Sequence, residues 1–137
     1  MFLGTFDVSL LNLSHGVFKV RATGGNCHLG GIDFDQRLVS HVIERAGLSN
    51  LSAKATRRLL TACERAKRAL SSATSTVVEV EAIQDGKDVR VEVSRAQFEA
   101  LNRALFDSCL ESVRDVLRDG GLDRSKVDQV VFVGGST

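Results

Sequence analysis

Apolar and polar positions alternate from Thr5 to Leu13, with Phe6, Val8 and Leu10 on one side and Asp7 and Ser9 on the other. A period of two predicts a strand with one buried face. Ser14-His15-Gly16 reads as a turn. The alternation then resumes over Val17–Thr23, with Phe18, Val20 and Ala22 opposite Lys19 and Arg21. Together these runs predict a β-hairpin with a buried face, ended by Gly24-Gly25-Asn26. Beyond Gly30-Gly31 the period becomes helical. Asp33 with Gln36 predicts a capping box, Phe34, Leu38 and Val42 form the stripe, and Gly47 predicts the stop. A second helix is predicted from Ser52 to about Ser71, with Ala55, Leu59, Cys63, Ala66 and Leu70 as its apolar stripe. Thr76–Ile83 and Lys87–Val93 flank Asp85-Gly86, a strong hairpin signal, and Val89, Val91 and Val93 share one face. Ser94 with Gln97 predicts a second capping box, opening the longest helix, whose stripe runs from Phe98 to Leu117 and stops at Gly120-Gly121. The continuous apolar run Gln129–Val133 predicts a strand buried on both faces. The order β-β-α-α-β-β-α-β is mixed α/β.

The chain of 137 residues is long enough for one domain with a real core. Its 43% hydrophobic and 26% charged content excludes wholesale disorder. No run approaches the ~18 apolar residues of a membrane span. The first thirteen residues lack a basic stretch and carry Asp7, so they do not read as a signal peptide. Pro is absent, which leaves turns and stops to Gly, Ser, Asn and Asp. Cys27, Cys63 and Cys109 form an odd, widely spaced set, neither a disulfide framework nor a zinc pattern. They read as reduced, mostly buried thiols of a cytosolic-type protein. Adjacency of Cys27 and His28 in sequence does not itself bring thiol and imidazole together. His15, His28 and His41 show no metal spacing and read as turn or surface residues.

The near-neutral total of +1 conceals an uneven distribution. Residues 1–69 carry a net +5 and residues 70–137 a net −4. Most of the excess lies between Lys54 and Arg68, which directs a search for anion binding there.

Four segments can carry chemistry. Gly4-Thr5-Phe6-Asp7 offers backbone N–H groups to a phosphate and a carboxylate to a cation's waters, or is a plain turn before a strand. Gly30-Gly31 precedes a helix N-terminus, which is an anion site or an ordinary helix entry. Glu64, Lys67, Arg68 and Ser71 fall at i, i+3, i+4 and i+7, one stripe facing away from the apolar one. That row can grip a polyhydroxylated ligand beside a flat base, or be a solvated helix surface with one ion pair. Gly134-Gly135-Ser136-Thr137 follows the last predicted strand, where α/β folds place ligands, or is a tail.

In order, the chain reads Gly-Thr-Phe-Asp-Val-Ser-Leu, His-Leu-Gly-Gly-x-Asp-Phe-Asp, Arg-Arg-Leu-x-Thr-Ala-Cys-Glu-Arg-Ala-Lys-Arg-x-Leu-Ser-Ser, Ser-Arg-Ala-x-Phe-Glu and Val-Gly-Gly-Ser-Thr. This series closely resembles the seventy-kilodalton heat-shock chaperones, the DnaK-type family, from Gly4 to Thr137. The stretch Thr61–Ser72 is its most specific part. The resemblance implies lobe II of an actin-like, ribonuclease H-like ATPase domain. Residues 1–27 and 111–137 would form an incomplete inner subdomain, and residues 28–110 an outer one.

By position, the resemblance implies that Glu64, Lys67, Arg68 and Ser71 bind adenine and ribose. It implies that Gly134, Gly135 and Ser136 form the adenosine and phosphate loop, and that Gly31 lines the cleft. Gly4 and Thr5 match the end of a phosphate loop. Asp7, with Thr5, takes a catalytic place, touching Mg²⁺ through water and the attacking water. The implied cofactors are ATP or ADP with Mg²⁺. The implied partners are nucleotide-exchange co-chaperones at the outer subdomain and the first ATPase lobe, without nucleic acid or membrane, in the cytoplasm.

The chain also departs from the family pattern. Phe2 and Leu3 stand where the family has loop glycines, and side chains there should obstruct close approach to phosphate. The loop's leading Asp and the strand before it are missing, as is the Arg expected after Thr137. The linker Leu48–Lys54 is short. The expectation is a chain with negligible ATP hydrolysis alone and weak adenosine binding. The competing expectation is a binding module for exchange co-chaperones that works without nucleotide, or a truncated non-catalytic homologue.

Overall fold

A computed structural model of the chain describes residues 4–136. Its elements are β1 (Phe6–Ser14), β2 (Val17–Asn26), α1 (Gly31–Ala46), α2 (Ala53–Ala69), β3 (Ser75–Gln84), β4 (Lys87–Ser94) and α3 (Arg95–Asp119), with a 3-10 turn at Arg124–Lys126. The architecture is mixed α/β, with two separate two-stranded antiparallel sheets, β1-β2 and β3-β4. The chain divides into two compact units. One contains the described parts of Met1–Ile32 and Ala104–Thr137, the other is Asp33–Arg103.

In the second unit, α1, α2 and the β3-β4 hairpin enclose a core. Leu38 and Val42 of α1, Leu59 and Cys63 of α2, Val78 of β3 and Val93 of β4 are buried completely. The hairpin presents Val89, Val91 and Val93 inward, as the alternation predicts. Its turn places Asp85 and Gly86 at φ 51° and 74°, the pair of positive φ values that a two-residue hairpin turn of matching twist needs. Ser52 caps α2 by accepting a hydrogen bond from Ala55 N at 3.2 Å. At α3 the expected capping box forms in both directions. Ser94 N donates to Gln97 Oε1 at 2.9 Å, and Gln97 N donates to Ser94 Oγ at 3.1 Å.

The first helix differs from expectation at its start. It begins at Gly31, so Asp33 lies inside the first turn rather than at the cap, where its charge still suits the positive end of the helix dipole. Its stop is as predicted. Gly47 N donates to Glu44 O and Leu48 N to Ile43 O, with Gly47 at φ 62°. These are the paired bonds of a Schellman turn, which needs a left-handed residue.

In the first unit, β1 pairs with β2 from Phe6↔Asn26 to Ser14↔Val17, and the register shifts between Leu10 and Leu11. Leu10, Gly24 and Gly120 pack where extra bulk would collide. A methyl on Gly24 would lie 2.8 Å from Val116 Cγ2, and one on Gly120 would overlap Leu10. The predicted buried face holds for Phe6, Val8 and Leu10, which are half-buried. It fails for β2, where Phe18 is 68% and Val20 58% exposed. Past the register shift at Leu10/Leu11 every residue from Leu11 to Arg21 is exposed, so neither face of that end of the hairpin is covered by other described residues.

The strand predicted at Gln129–Val133 does not form. Val130–Val133 are 67–88% exposed, and among the described residues no strand joins either two-stranded sheet. A strand buried on both faces requires ladder neighbours and covering layers, and here it has neither. Phe2, Leu3 and Thr137 lie outside the described residues.

Candidate functional site

The candidate residues divide between the two units. Glu64, Lys67, Arg68 and Ser71 belong to Asp33–Arg103, and the glycine-rich segments with Thr5 and Asp7 belong to the other unit.

On α2, Glu64 and Arg68 form an ion pair of 2.7 Å, four residues apart and largely exposed. An exposed pair of this spacing contributes about 0.2–0.5 kcal/mol to the helix. Lys67 does not stand out in the solvated row as the spacing predicted. Its side chain is only 21% exposed and turns toward α1, where Nζ donates a 2.8 Å hydrogen bond to Asp35 Oδ2. Nζ also lies 2.8 Å from Asp35 Oδ1 in ion-pair contact, but Oδ1, itself buried, receives no aligned hydrogen bond.

Asp35 is 4% exposed and sits among the core residues of α1. Burial holds its carboxyl above the ordinary value of 3.8. The Lys67 hydrogen bond and charge oppose that shift, Glu64 reinforces it and Arg68 opposes it. Cys63, one turn before Lys67, has its thiol pushed up to about 12, first by burial and then by the Asp35 charge. Asp35 is therefore a member of this cluster that the sequence reading missed. The signal was present as an acid one residue off the apolar stripe Phe34-Leu38-Val42, but periodicity alone cannot tell an inward acid from an outward one.

Ser71 lies beyond α2, which ends at Ala69 with Leu70 as its cap. It is exposed, and its N–H donates to Arg68 O at 3.1 Å. Arg95 holds this turn. Its Nε donates to Leu70 O at 2.8 Å and its Nη2 to Ala73 O at 2.9 Å. A cation bonding the last carbonyls of a helix also complements the dipole.

The cluster on α1 and α2 pairs its charges one to one: Arg68 with Glu64, Lys67 with Asp35. Such a face is rich in donors and acceptors but carries no net charge. Its chemistry suits an uncharged polar group, such as a nucleoside, better than a phosphate.

In the other unit, Gly4 lies against Gly30. A methyl on Gly4 would sit 2.8 Å from Gly30 Cα and 3.3 Å from Gly31 N, and one on Gly30 would overlap Gly4. Glycine at 4 and 30 thus permits two backbone segments to touch, which brings the Gly4-Thr5 turn beside the entry of α1. Thr5 Oγ1 donates to Asp7 Oδ2 at 2.8 Å, and both side chains are exposed. Gly134 has φ 134°, a conformation that favours glycine, and a methyl on it or on Gly135 would meet open space. Ser136 is exposed in the same segment.

Among the described residues, no three or more His, Cys, Asp or Glu side chains are placed to hold a metal ion. Mg²⁺ commonly binds through one or two carboxylates, substrate phosphates and waters rather than a protein cage, so the exposed Asp7 carboxylate fits it. No helix among them is long and apolar enough to cross a membrane.

The cysteines are all free. Cys63 is buried and Cys109 half-buried, but Cys27 is exposed, against expectation, because it follows β2 in an open turn. Its Sγ lies 3.1 Å from His28 Nδ1, so the structure does bring this thiol and imidazole together. His15 is a turn residue with φ 52°. His41 departs from the surface reading, since its Nε2 is buried without a hydrogen-bond partner.

The family model for "Hsp70 protein" matches residues 2–137. The chain is 52% identical to a ribosome-associated molecular chaperone of Saccharomyces cerevisiae and 51% identical to a heat shock protein of Pyricularia oryzae. It is 49% identical to heat shock cognate 70 kDa protein 3 of Dictyostelium discoideum. Each comparison covers 98% of this chain and 22–23% of the relative, so the chain spans about a quarter of the length of the relatives it matches. Three helices and two small antiparallel sheets fit part of that family's actin-like ATPase domain. With residues 2–137 matched by the family model and about half its residues identical to those of such chaperones, the protein belongs to the Hsp70 family.

Proposed function

We propose that the chain contributes the adenosine-binding helix and phosphate-contacting glycines to the ATPase domain of a molecular chaperone. The observation that carries this reading is the charge-balanced cluster of Glu64, Lys67, Arg68 and Asp35, in which α2 presents several hydrogen-bonding groups while the buried Asp35 of α1 balances their charge. In this reading Glu64 accepts from ribose hydroxyls, Lys67 and Arg68 donate, and the Arg68 plane lies along the base. Ser71, held near by the Arg95-bound turn, adds a hydroxyl. Gly4, Thr5 and Gly31 meet phosphate through backbone N–H groups, as do Gly134, Gly135 and Ser136. Asp7, oriented by the Thr5 hydroxyl, would hold Mg²⁺ through its water and would order the attacking water. ATP with Mg²⁺ supplies the chemistry of phosphoryl transfer to water, which requires positioning and charge stabilisation from more groups than these. Alone, the chain hydrolyses ATP negligibly.

Residues 1–27 with 111–137 would be the inner subdomain and residues 28–110 the outer one. The compartment is the cytosol, in keeping with relatives named as ribosome-associated.

Calorimetry with ADP tests the site. The native chain should bind, and Glu64→Ala should weaken binding about tenfold or more, the effect of losing a charged hydrogen bond. Binding that is undiminished in Glu64→Ala would remove α2 from the site.

A second reading is supported by a different surface. Lys54, Arg57, Arg58 and Thr61 line a cavity of about 400 Å³ on the exposed side of α2. Arg58 donates to Glu81 O at 2.7 Å and to Ala82 O at 3.3 Å, tying that surface to the β3-β4 hairpin. This rigid basic face is proposed to receive nucleotide-exchange co-chaperones. Capture of an exchange factor that persists without ADP and is lost in Arg57→Glu would establish it, and capture unchanged by Arg57→Glu would dismiss it.

A further inference from the structure

Asp35 is a costly residue to place where it is. A buried carboxylate loses hydration, and its neighbours on α1, Leu38, Val39 and Val42, all serve the core. The lysine that offsets this cost comes from the polar row of α2, 32 residues away. Lys67 therefore differs from Arg68 beside it, which is 76% exposed and paired within its own helix. A lysine on a helix surface ordinarily samples many rotamers and loses them on binding a ligand. Lys67 has that freedom removed beforehand, since both Asp35 oxygens lie 2.8 Å from Nζ.

We infer that Asp35 is a positioning residue of the nucleotide site, fixing the Lys67 ammonium so that α2 presents Glu64, Lys67 and Arg68 to a ligand in one geometry. The inference rests on the proposed adenosine-binding role of α2. Asp35 has its buried carboxylate against Lys67 and acts on a ligand only through that ammonium. The arrangement follows the general requirement that a precise binding group be held by a second residue on rigid elements, here two helices that share a core.

The test has two arms on the full chain. In the first, an amine-reactive ester labels lysines at neutral pH, and mass spectrometry follows Lys67 against the exposed Lys54 of the same molecule. Lys67 should react more slowly than Lys54 in the native chain. It should accelerate about fivefold in Asp35→Asn, the effect of losing a net hydrogen bond, with Lys54 unchanged. Asp35→Glu, which keeps the charge, should restore slow labelling at least in part. In the second arm, ADP affinity is measured for the native chain, Asp35→Asn, Lys67→Met and the double variant. Both single variants should bind more weakly, and the double variant should be no worse than Lys67→Met. A merely structural aspartate would change melting temperature without this non-additivity. Native Lys67 labelling as fast as Lys54, labelling unmoved by Asp35→Asn, or fully additive affinity losses would overturn the inference. Absence of ADP binding to the native chain would instead refute the adenosine reading of α2, and the labelling arm would still decide whether Asp35 fixes Lys67.

Discussion

Asp35 of α1 and Lys67 of α2 form an ion pair in which Nζ lies 2.8 Å from each carboxylate oxygen, with the acid far more deeply buried than the base. That inequality sets what each partner's loss does. Lys67→Met strands a buried carboxylate and should cost roughly 3 kcal/mol at neutral pH. Asp35→Asn leaves an ammonium on a flexible stem, whose side chain is already 21% exposed and can swing into water, so about 1 kcal/mol is expected. Urea midpoints at unchanged slope measure both. Equal losses would show that the pair is not asymmetric in this way.

The same burial fixes a pH dependence. Asp35 has its folded-state pKa raised above the ordinary 3.8, with burial outweighing Lys67. Between the two values the folded state holds the proton more tightly than the unfolded chain, so stability falls as pH rises. This contribution is complete below about 3.8, the unfolded value, and is lost as pH climbs through the folded value. The stability of the native chain relative to Asp35→Asn should therefore decline as pH rises from below 4 and then level off. A difference that grows over this range would mean that Lys67 outweighs burial.

Two left-handed residues predict opposite mutational signs. Ala82 has φ 43° at the irregular end of β3, where its N–H donates to Asp88 Oδ1 at 2.7 Å and its carbonyl accepts from Arg58. The left-handed conformation costs an alanine about 1 kcal/mol, and glycine's extra unfolded-state freedom returns about half of that. Ala82→Gly should thus stabilise the chain by about 0.5 kcal/mol. Gly47 has φ 62° with open space around it, so Gly47→Ala meets strain without collision, and after the same unfolded-state offset it should cost about 0.5 kcal/mol. Thermal melting of both variants checks the signs.

Thiol chemistry should rank the cysteines by environment. Cys27 is exposed and should react first with a disulfide reagent at pH 8. Cys109 is half-buried, with its thiol raised mainly by burial, and should follow more slowly. Cys63, buried and pushed up to about 12, should react only after unfolding. Reaction of Cys63 at the rate of Cys27 in the folded chain would contradict its placement in the core.

Local signals were legible wherever one short stretch contains both partners of an interaction. The Ser94–Gln97 box, the Ser52 cap, the Gly47 stop and the Asp85-Gly86 turn each close within a few residues, so residue type and spacing settle them. The inward faces of α2 and β4 follow for the same reason, since a period of 3.6 or 2 repeats along the element itself. Of the row Glu64, Lys67, Arg68 and Ser71, the spacing correctly read the exposed Glu64–Arg68 pair, while Lys67 turns to Asp35 and Ser71 lies past the end of α2.

Tertiary structure decided what depends on partners distant in sequence. Lys67 leaves the solvated row because α1 brings a buried acid to it, and no periodicity within α2 encodes that neighbour. Gly4 and Gly30 are explained only by their mutual approach. Val130–Val133 read as a buried strand from composition, yet a strand is a relation between segments, and none of the described segments pairs with it. By itself the sequence determined the caps of α2 and α3, the turns, the stops, most inward faces and the family. Folding alone decided which polar groups are buried together, because burial is a property of packed surfaces and not of any one run of residues.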